Sequence, residues 1–300
     1  MRRKVDNMST IQWFPGHMAK AKRQVQEQLK SVDWVVEIRD ARIPIASKNP
    51  LIDQIIQQKK RLIVLNKADL ADPIQNKLWL DHLRNKDTDA IAIDSKNNKE
   101  IKKLRHYLLE VTDSERQKWL DKGMKQKTIR LMVLGIPNVG KSTLINQLTH
   151  KKSAKVGNRP GVTKGQQWVQ IDKDFSLLDT PGILWPKFED PIVGMNLALT
   201  GAIKDTHYYS DDIALYAMQF MMDYYMEDFC QFFNLSEEEA QPPYPELMMT
   251  LTNKMGMKDD YERFSDWLIR EFRSGKIAPM TLDRYEDYRL DQVGEGSADD

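Results

Sequence analysis

The chain has 300 residues, 41% hydrophobic and 30% charged, enough for one large or two ordinary globular domains with a sizeable core. The lone Cys230 excludes an internal disulfide and fits a cytoplasmic protein, the opening MRRKVDNMST lacks the apolar stretch of a secretory signal, and an uncharged apolar run such as IALYAMQFMM (213–222) is too short to span a bilayer. The net charge of +1 conceals an asymmetry: residues 1–200 carry 36 Lys+Arg against 22 Asp+Glu (+14), and residues 201–300 carry 9 against 22 (−13). Either the two parts neutralise each other or the basic part meets a polyanion beyond any nucleotide, and nucleic-acid contact is the expectation.

In chain order, MAKAKRQVQEQLK (18–30) is a helix with a seam of Met18, Ala21, Val25 and Leu29, while Lys20, Lys22, Arg23 and Lys30 lie off it. Such a helix can dock by its seam and offer cations to RNA phosphates, or simply be solvated. WVVEIRDAR (34–42) reads as a buried strand that ends in charge. PLIDQIIQQKK (50–60) has helical spacing, with Asn49 as N-cap and Pro50 at the first position. RLIVL (61–65) is a second strand, QNKLWLDHLRN (75–85) a helix, AIAI (90–93) a third strand, and residues 99–111 an amphipathic helix running towards Gly123. TIRLMVLG (128–135) is the fourth strand and KSTLINQL (141–148) opens a helix; residues 165–172 and 175–179 are two further strands. Strands alternating with helices predict an α/β fold with a mostly parallel sheet and helices on both faces. After about residue 200 the pattern becomes helical. Residues 211–233 form a Met- and aromatic-rich helix, PPYPE (242–246) breaks it, and residues 261–272 form another. The terminal GEGSADD has the composition of a disordered tail.

GIPNVGKST (135–143) fits the phosphate-loop pattern G-x-x-x-x-G-K-[ST], after a predicted strand and at the start of a predicted helix. Backbone amides of the loop, the following helix N-terminus and Lys141 supply the donors a triphosphate needs, and Ser142 Oγ is the Mg²⁺ ligand. Gly135, Asn138, Val139, Gly140, Lys141, Ser142 and Thr143 form this part of the GTP site. Glycines are needed because a side chain would block the phosphate. NKAD (66–69) follows a strand, where α/β sheets bind ligands. Asp69 can accept from guanine N1–H and N2–H₂ together, a donor pair that adenine lacks. Asn66 ties the loop to the phosphate loop, Ala68 lines it, and the Lys67 stem lies along the base. DSK (Asp94, Ser95, Lys96) completes the guanine pocket through its backbone amides, although it departs from the Ser-Ala-Lys of many GTPases. In DTPG (179–182) Asp179 holds Mg²⁺ through a water and the Gly182 amide meets the γ-phosphate; Thr163, in RPGVTKG (159–165), joins the Mg²⁺ shell.

These motifs run in an unusual order. NKAD and DSK precede the phosphate loop, whereas in most GTP-binding domains they follow it. Joining the termini of an ordinary domain and cutting it just after DTPG gives this order, and the γ-phosphate-sensing loop then leads into the helical region.

With QWFPGHMAKA (12–21), DARIP (40–44), DTPGILWPKFED (179–190) and TGAIKD (200–205) added, the chain resembles the circularly permuted GTPases of the YlqF family over residues 12–205. The resemblance implies GTP hydrolysis coupled to late maturation of the large ribosomal subunit in bacteria, with release on hydrolysis. It also implies potassium dependence, for which Asn138 is the matching residue. The expected organisation is a basic segment (1–30) packed on a permuted GTPase domain (31–190), a helical C-terminal domain (200–290) and a tail (291–300). No membrane and no DNA partner is expected. The catalytic set is Lys141, Gly182 and His17. Ile183 and Leu184 follow Gly182 where many GTPases place a water-orienting glutamine, so His17 or a potassium ion near Asn138 is expected to substitute. Competing readings are a GTPase acting in tRNA modification, on another RNA target or at a membrane, or a nucleotide-sensing binding module with little turnover.

Overall fold

The structure, a computed structural model, describes residues 18–56, 59–123, 127–149, 167–180, 188, 190–241 and 243–296. These fall into two units, divided between Pro186 and Lys187. His17, Thr163 and Gly182 lie outside the described residues.

The first unit begins with helix α1 (Met18–Leu29), strand β1 (Trp34–Asp40), helix α2 (Pro50–Ile56), strand β2 (Arg61–Asn66), helix α3 (Pro73–Leu83) and strand β3 (Thr88–Ile93). It continues through helices α4 (Asn98–Val111) and α5 (Asp113–Asp121), strand β4 (Ile129–Leu134), helix α6 (Lys141–Thr149), and strands β5 (Gln167–Gln170) and β6 (Phe175–Asp179). The strands form one sheet in the order β3-β2-β1-β4-β6-β5; all neighbours are parallel except β5 and β6. β5 can reverse because only a four-residue turn separates it from β6, too short for a crossover.

Helix starts follow local chemistry. Asn49 Oδ1 accepts from the Leu51 amide at 2.9 Å ahead of α2. Asp72 Oδ1 accepts from Ile74 N and Gln75 N at 2.8 and 3.3 Å, so α3 starts at Pro73, two residues before the apolar pattern suggests. α1 packs by Val25 and Leu29 against Val35, Ile52, Ile55, Ile56, Met132 and Leu178, a dry cluster that covers one face of the sheet. β1 sits at the centre, and all seven of its residues are buried, Glu37, Arg39 and Asp40 included.

The second unit contains helices α7 (Pro191–Leu199), α8 (Ser210–Tyr224), α9 (Met226–Phe233), α10 (Tyr244–Lys254), α11 (Tyr261–Ser274) and α12 (Tyr285–Gly296). α8 lies at its centre, packed by α7, α9, α10 and α11, with Ile213, Ala217, Met218, Phe220 and Met221 fully buried. Phe229, Phe233, Phe264 and Trp267 form a chain of ring contacts with centroids 4.7–6.3 Å apart. The expected single helix over 211–233 is broken at Tyr225, whose φ of −141° and ψ of 38° are not helical. Tyr225 Oη accepts from Thr281 N at 3.1 Å and from Arg284 Nη1 at 2.8 Å, so a tertiary contact holds the break. α12 runs to Gly296, into the stretch from 291 read as a tail; acidic Glu286 and Asp287 in its first turn favour the start of this helix.

Candidate functional site

The parallel order brings the C-terminal ends of β3, β2, β1, β4 and β6 to one edge of the sheet. Asp40, at the end of β1, is in register with Asn66 of β2, and Asn66 with Ile93 of β3. NKAD, DSK, the phosphate loop and Asp179 therefore follow neighbouring strand ends although they are distant in sequence.

Asn66 holds three of these loops together. Its Nδ2 donates to Val139 O of the phosphate loop at 2.7 Å, and its Oδ1 accepts from Ser95 N of DSK at 3.0 Å. Both capacities of one buried carboxamide are spent on loops 29 and 73 residues away. The same bridge explains a glycine. A Cβ on Gly140, which has φ of +100°, would lie 2.1 Å from Asn66 Nδ2. At Gly135 a Cβ would lie 2.5 Å from the Ile38 carbonyl oxygen. The protein's own packing thus demands both glycines, in addition to any demand from a phosphate. Asn138 adopts a left-handed φ of 60° between them.

Lys141, at the start of α6, is buried, and its Nζ donates to Ile136 O at 2.7 Å and Gly135 O at 3.1 Å. Burial pushes its pKa down to about 8 against the pull of Asp179. Asp179 closes β6. Burial pushes its carboxyl up to about 6, and the charge of Lys141 opposes that only in part. Its Oδ1 is buried without a hydrogen-bond partner among the described residues. A buried carboxylate oxygen left without a hydrogen-bond partner, at a strand end beside the phosphate-loop lysine, fits a hard cation with its waters. No group of three His, Cys, Asp or Glu side chains that could hold a metal occurs among the described residues. Mg²⁺ here would take its remaining ligands from nucleotide phosphates and water. Next to it, Thr180 Oγ1 donates to Val133 O at 2.5 Å and fixes the strand end.

On the base side, Lys67 takes a left-handed backbone (φ 61°, ψ 36°) that turns Ala68–Leu70 into a single 3₁₀ turn, and Asn76 Nδ2 donates to Ala68 O at 3.3 Å. Asp69 is exposed as a residue, yet local desolvation and then the charge of Asp94 raise its pKa. Guanine's paired donors would relieve that. Asp94 Oδ1 accepts from Lys96 N at 2.8 Å and shapes the DSK turn.

Sequence reasoning missed a buried ionic row along β1. Arg39 Nε donates to Glu37 Oε1 at 2.7 Å, Arg61 Nη1 donates to Glu37 Oε2 at 3.0 Å and to Asp53 Oδ1 at 2.6 Å, and Asp40 pairs with both Arg42 and Lys67. The signal was three alternating charges, EIRD, inside an otherwise apolar strand.

A family model described as "50S ribosome-binding GTPase" matches residues 130–239. The match starts at β4 and so leaves NKAD upstream of it, as a permuted order requires. Ribosome biogenesis GTPase A of Bacillus cereus is 45% identical over 287 residues, covering 93% of this chain and 95% of that protein. Ribosome biogenesis GTPase A of Priestia megaterium is 47% identical over 284 residues, covering 91% and 96%. A crystal structure of GNP-bound YlqF from T. maritima superposes with a TM-score of 0.61 at 26% identity, covering 88% of this chain and 98% of that one.

Proposed function

The chain belongs to the YlqF family of circularly permuted GTPases, and from that premise we propose that it binds the large ribosomal subunit precursor, promotes its late maturation and leaves on GTP hydrolysis. The observation that carries the nucleotide part is the Asn66 carboxamide, which joins the base-reading, DSK and phosphate loops into one site. In this reading Asp69 takes the guanine donors, and the amides of residues 135–143 with Lys141 take the phosphates. The Lys141 ammonium already stands over the loop on two carbonyls, so phosphate oxygens have only to add to or replace these acceptors. Ser142 and Thr163, with Asp179 through a water, would hold Mg²⁺, which would supply charge to neutralise the phosphates when bound. From the sequence, the Gly182 amide would meet the γ-phosphate, and His17 or potassium near Asn138 would stand in for the glutamine that Ile183 replaces.

Support for the ribosomal target comes from the names of the relatives and from the +14 charge of residues 1–200, which suits rRNA phosphates. No helix among the described residues is long and apolar enough to cross a membrane. Relatives named for ribosome biogenesis in bacteria make the cytoplasm the expected compartment. Cosedimentation with large subunits in GDP, GTP and a non-hydrolysable analogue, across a salt series, tests the reading. Binding should favour the GTP analogue and weaken steeply with salt. Equal affinity in GDP and the analogue would remove the switch and leave a constitutive binder.

A further inference from the structure

At the end of β1, Asp40 is buried and faces two cations. Arg42, buried as well, grips both of its oxygens, with Nε 2.9 Å from Oδ1 and Nη2 2.7 Å from Oδ2. The Lys67 ammonium of NKAD donates to the same Oδ2 at 2.8 Å. The turn that carries Asp40 is itself anchored: Asp40 N donates to Ser47 Oγ at 3.1 Å, and Ala41 N donates to Asn66 O at 2.8 Å.

A bidentate Asp–Arg pair is complete in charge and geometry. The second cation comes at a cost: partial burial, and then the charges of Arg42 and Lys96, hold the Lys67 pKa down despite the pull of Asp40. The extra cation is the one whose stem belongs to the base-reading loop. A lysine stem has four rotatable bonds and no preferred end point of its own. Fastening Nζ to Asp40 stretches that stem between two fixed points, the left-handed Cα of Lys67 and the end of β1.

We propose that Asp40, gripped by Arg42, is a positioning residue of the guanine site: by holding the Lys67 ammonium it sets the Lys67 stem as the apolar wall against which the base lies. The proposal rests on the reading of NKAD as the guanine-binding loop. It gives the DARIP stretch a role in binding the base, separate from the phosphates.

The test is to titrate GDP and pyrophosphate, each with Mg²⁺, into wild-type protein, Asp40→Asn, Lys67→Met and the double variant. Asp40→Asn should weaken GDP about tenfold and leave pyrophosphate within about twofold, since only the base wall is loosened. The double variant should bind GDP no more weakly than Lys67→Met, because Asp40 acts through Lys67. Unchanged GDP affinity, equal weakening of both ligands, or multiplying effects in the double variant would overturn the proposal. If Asp40→Asn fails to fold in a urea melt, Arg42→Lys takes its place: it keeps the charge, loses the two-pronged grip, and should weaken GDP alone by about threefold. Arg42→Lys leaving GDP affinity unchanged, or weakening both ligands equally, counts against the proposal in the same way. Wild-type protein that binds GDP no better than pyrophosphate would bring down the guanine-site reading itself, and the proposal with it.

Discussion

Buried polar groups are distributed differently in the two units. In the nucleotide unit many of them gather at one edge of the sheet: Asp40, Arg42, Asn66, Ser95, Lys141, Asp179 and Thr180 are all buried at or after strand ends, while Glu37 and Arg39 lie along β1. In the helical unit the buried polar groups among the described residues are fewer, and they bond to side chains or backbone carbonyls of the same unit. Asn196 Nδ2 donates to Asp283 and its Oδ1 accepts from Tyr216 Oη, Thr200 Oγ1 donates to Asn196 O, and Thr252 Oγ1 donates to Met248 O. The first unit holds a carboxylate oxygen with no hydrogen-bond partner among the described residues and a lysine depressed to about 8; in the second, buried Asn196, Thr200 and Thr252 all find side-chain or backbone partners. Buried polarity clustered at strand ends is where a ligand site is expected, and polarity spent on internal bonds suits a scaffold.

The sharpest way to break this contrast is to remove Lys141. Lys141→Ala should lower single-turnover GTP hydrolysis by about 10³-fold or more, because the site would lose the buried ammonium expected to meet the phosphates. A variant within about tenfold of wild type would mean that the edge is not the reacting one. Phe264→Ala, in the aromatic core of the helical unit, should cost that unit about 3–5 kcal/mol in a urea melt while GDP affinity of the folded protein stays unchanged. Loss of nucleotide affinity at denaturant-free conditions would show that the two units are not separable in function.

A milder effect comes from Asp179. Its carboxyl is raised to about 6, so it is mostly ionised at pH 7 and mostly protonated at pH 5. A protonated carboxyl cannot hold a cation, so Mg²⁺ affinity of the GTP complex should fall about tenfold between pH 7 and pH 5, and Asp179→Asn should flatten that profile. For folding the sign is opposite. A raised carboxyl pKa stabilises the protonated form, so this group's contribution is present below about 4 and is lost as pH rises through about 6. A pH-independent Mg²⁺ affinity would place the cation elsewhere.

Much of the nucleotide unit was legible because its signals are local. A phosphate loop must follow a strand and open a helix, and residues 129–149 do so; NKAD and DSK likewise sit just past β2 and β3. Less legible was anything set by distant partners. Nothing near Tyr225 marks a helix break, since its cause is a hydroxyl bound to residues 281 and 284. α7, α10 and α12 went unread; α7 is apolar nearly all round, with Gly194–Leu199 continuously buried, so it shows no helical stripe. The Asp40–Arg42–Lys67 triad looked like the charged end of a strand, because sequence shows charge but not burial. The demand for Gly140 comes from a side chain 74 residues upstream, Asn66, and no local rule contains it.

The central claim is that NKAD, upstream of the phosphate loop, still reads the base. Competition binding of GTP, XTP and ATP to wild type and to Asp69→Asn tests it most directly. The account expects wild type to prefer GTP, and Asp69→Asn to lose about 10²-fold of that preference over XTP, since an amide cannot accept both guanine donors. An Asp69→Asn protein that keeps the wild-type preference for GTP would contradict it.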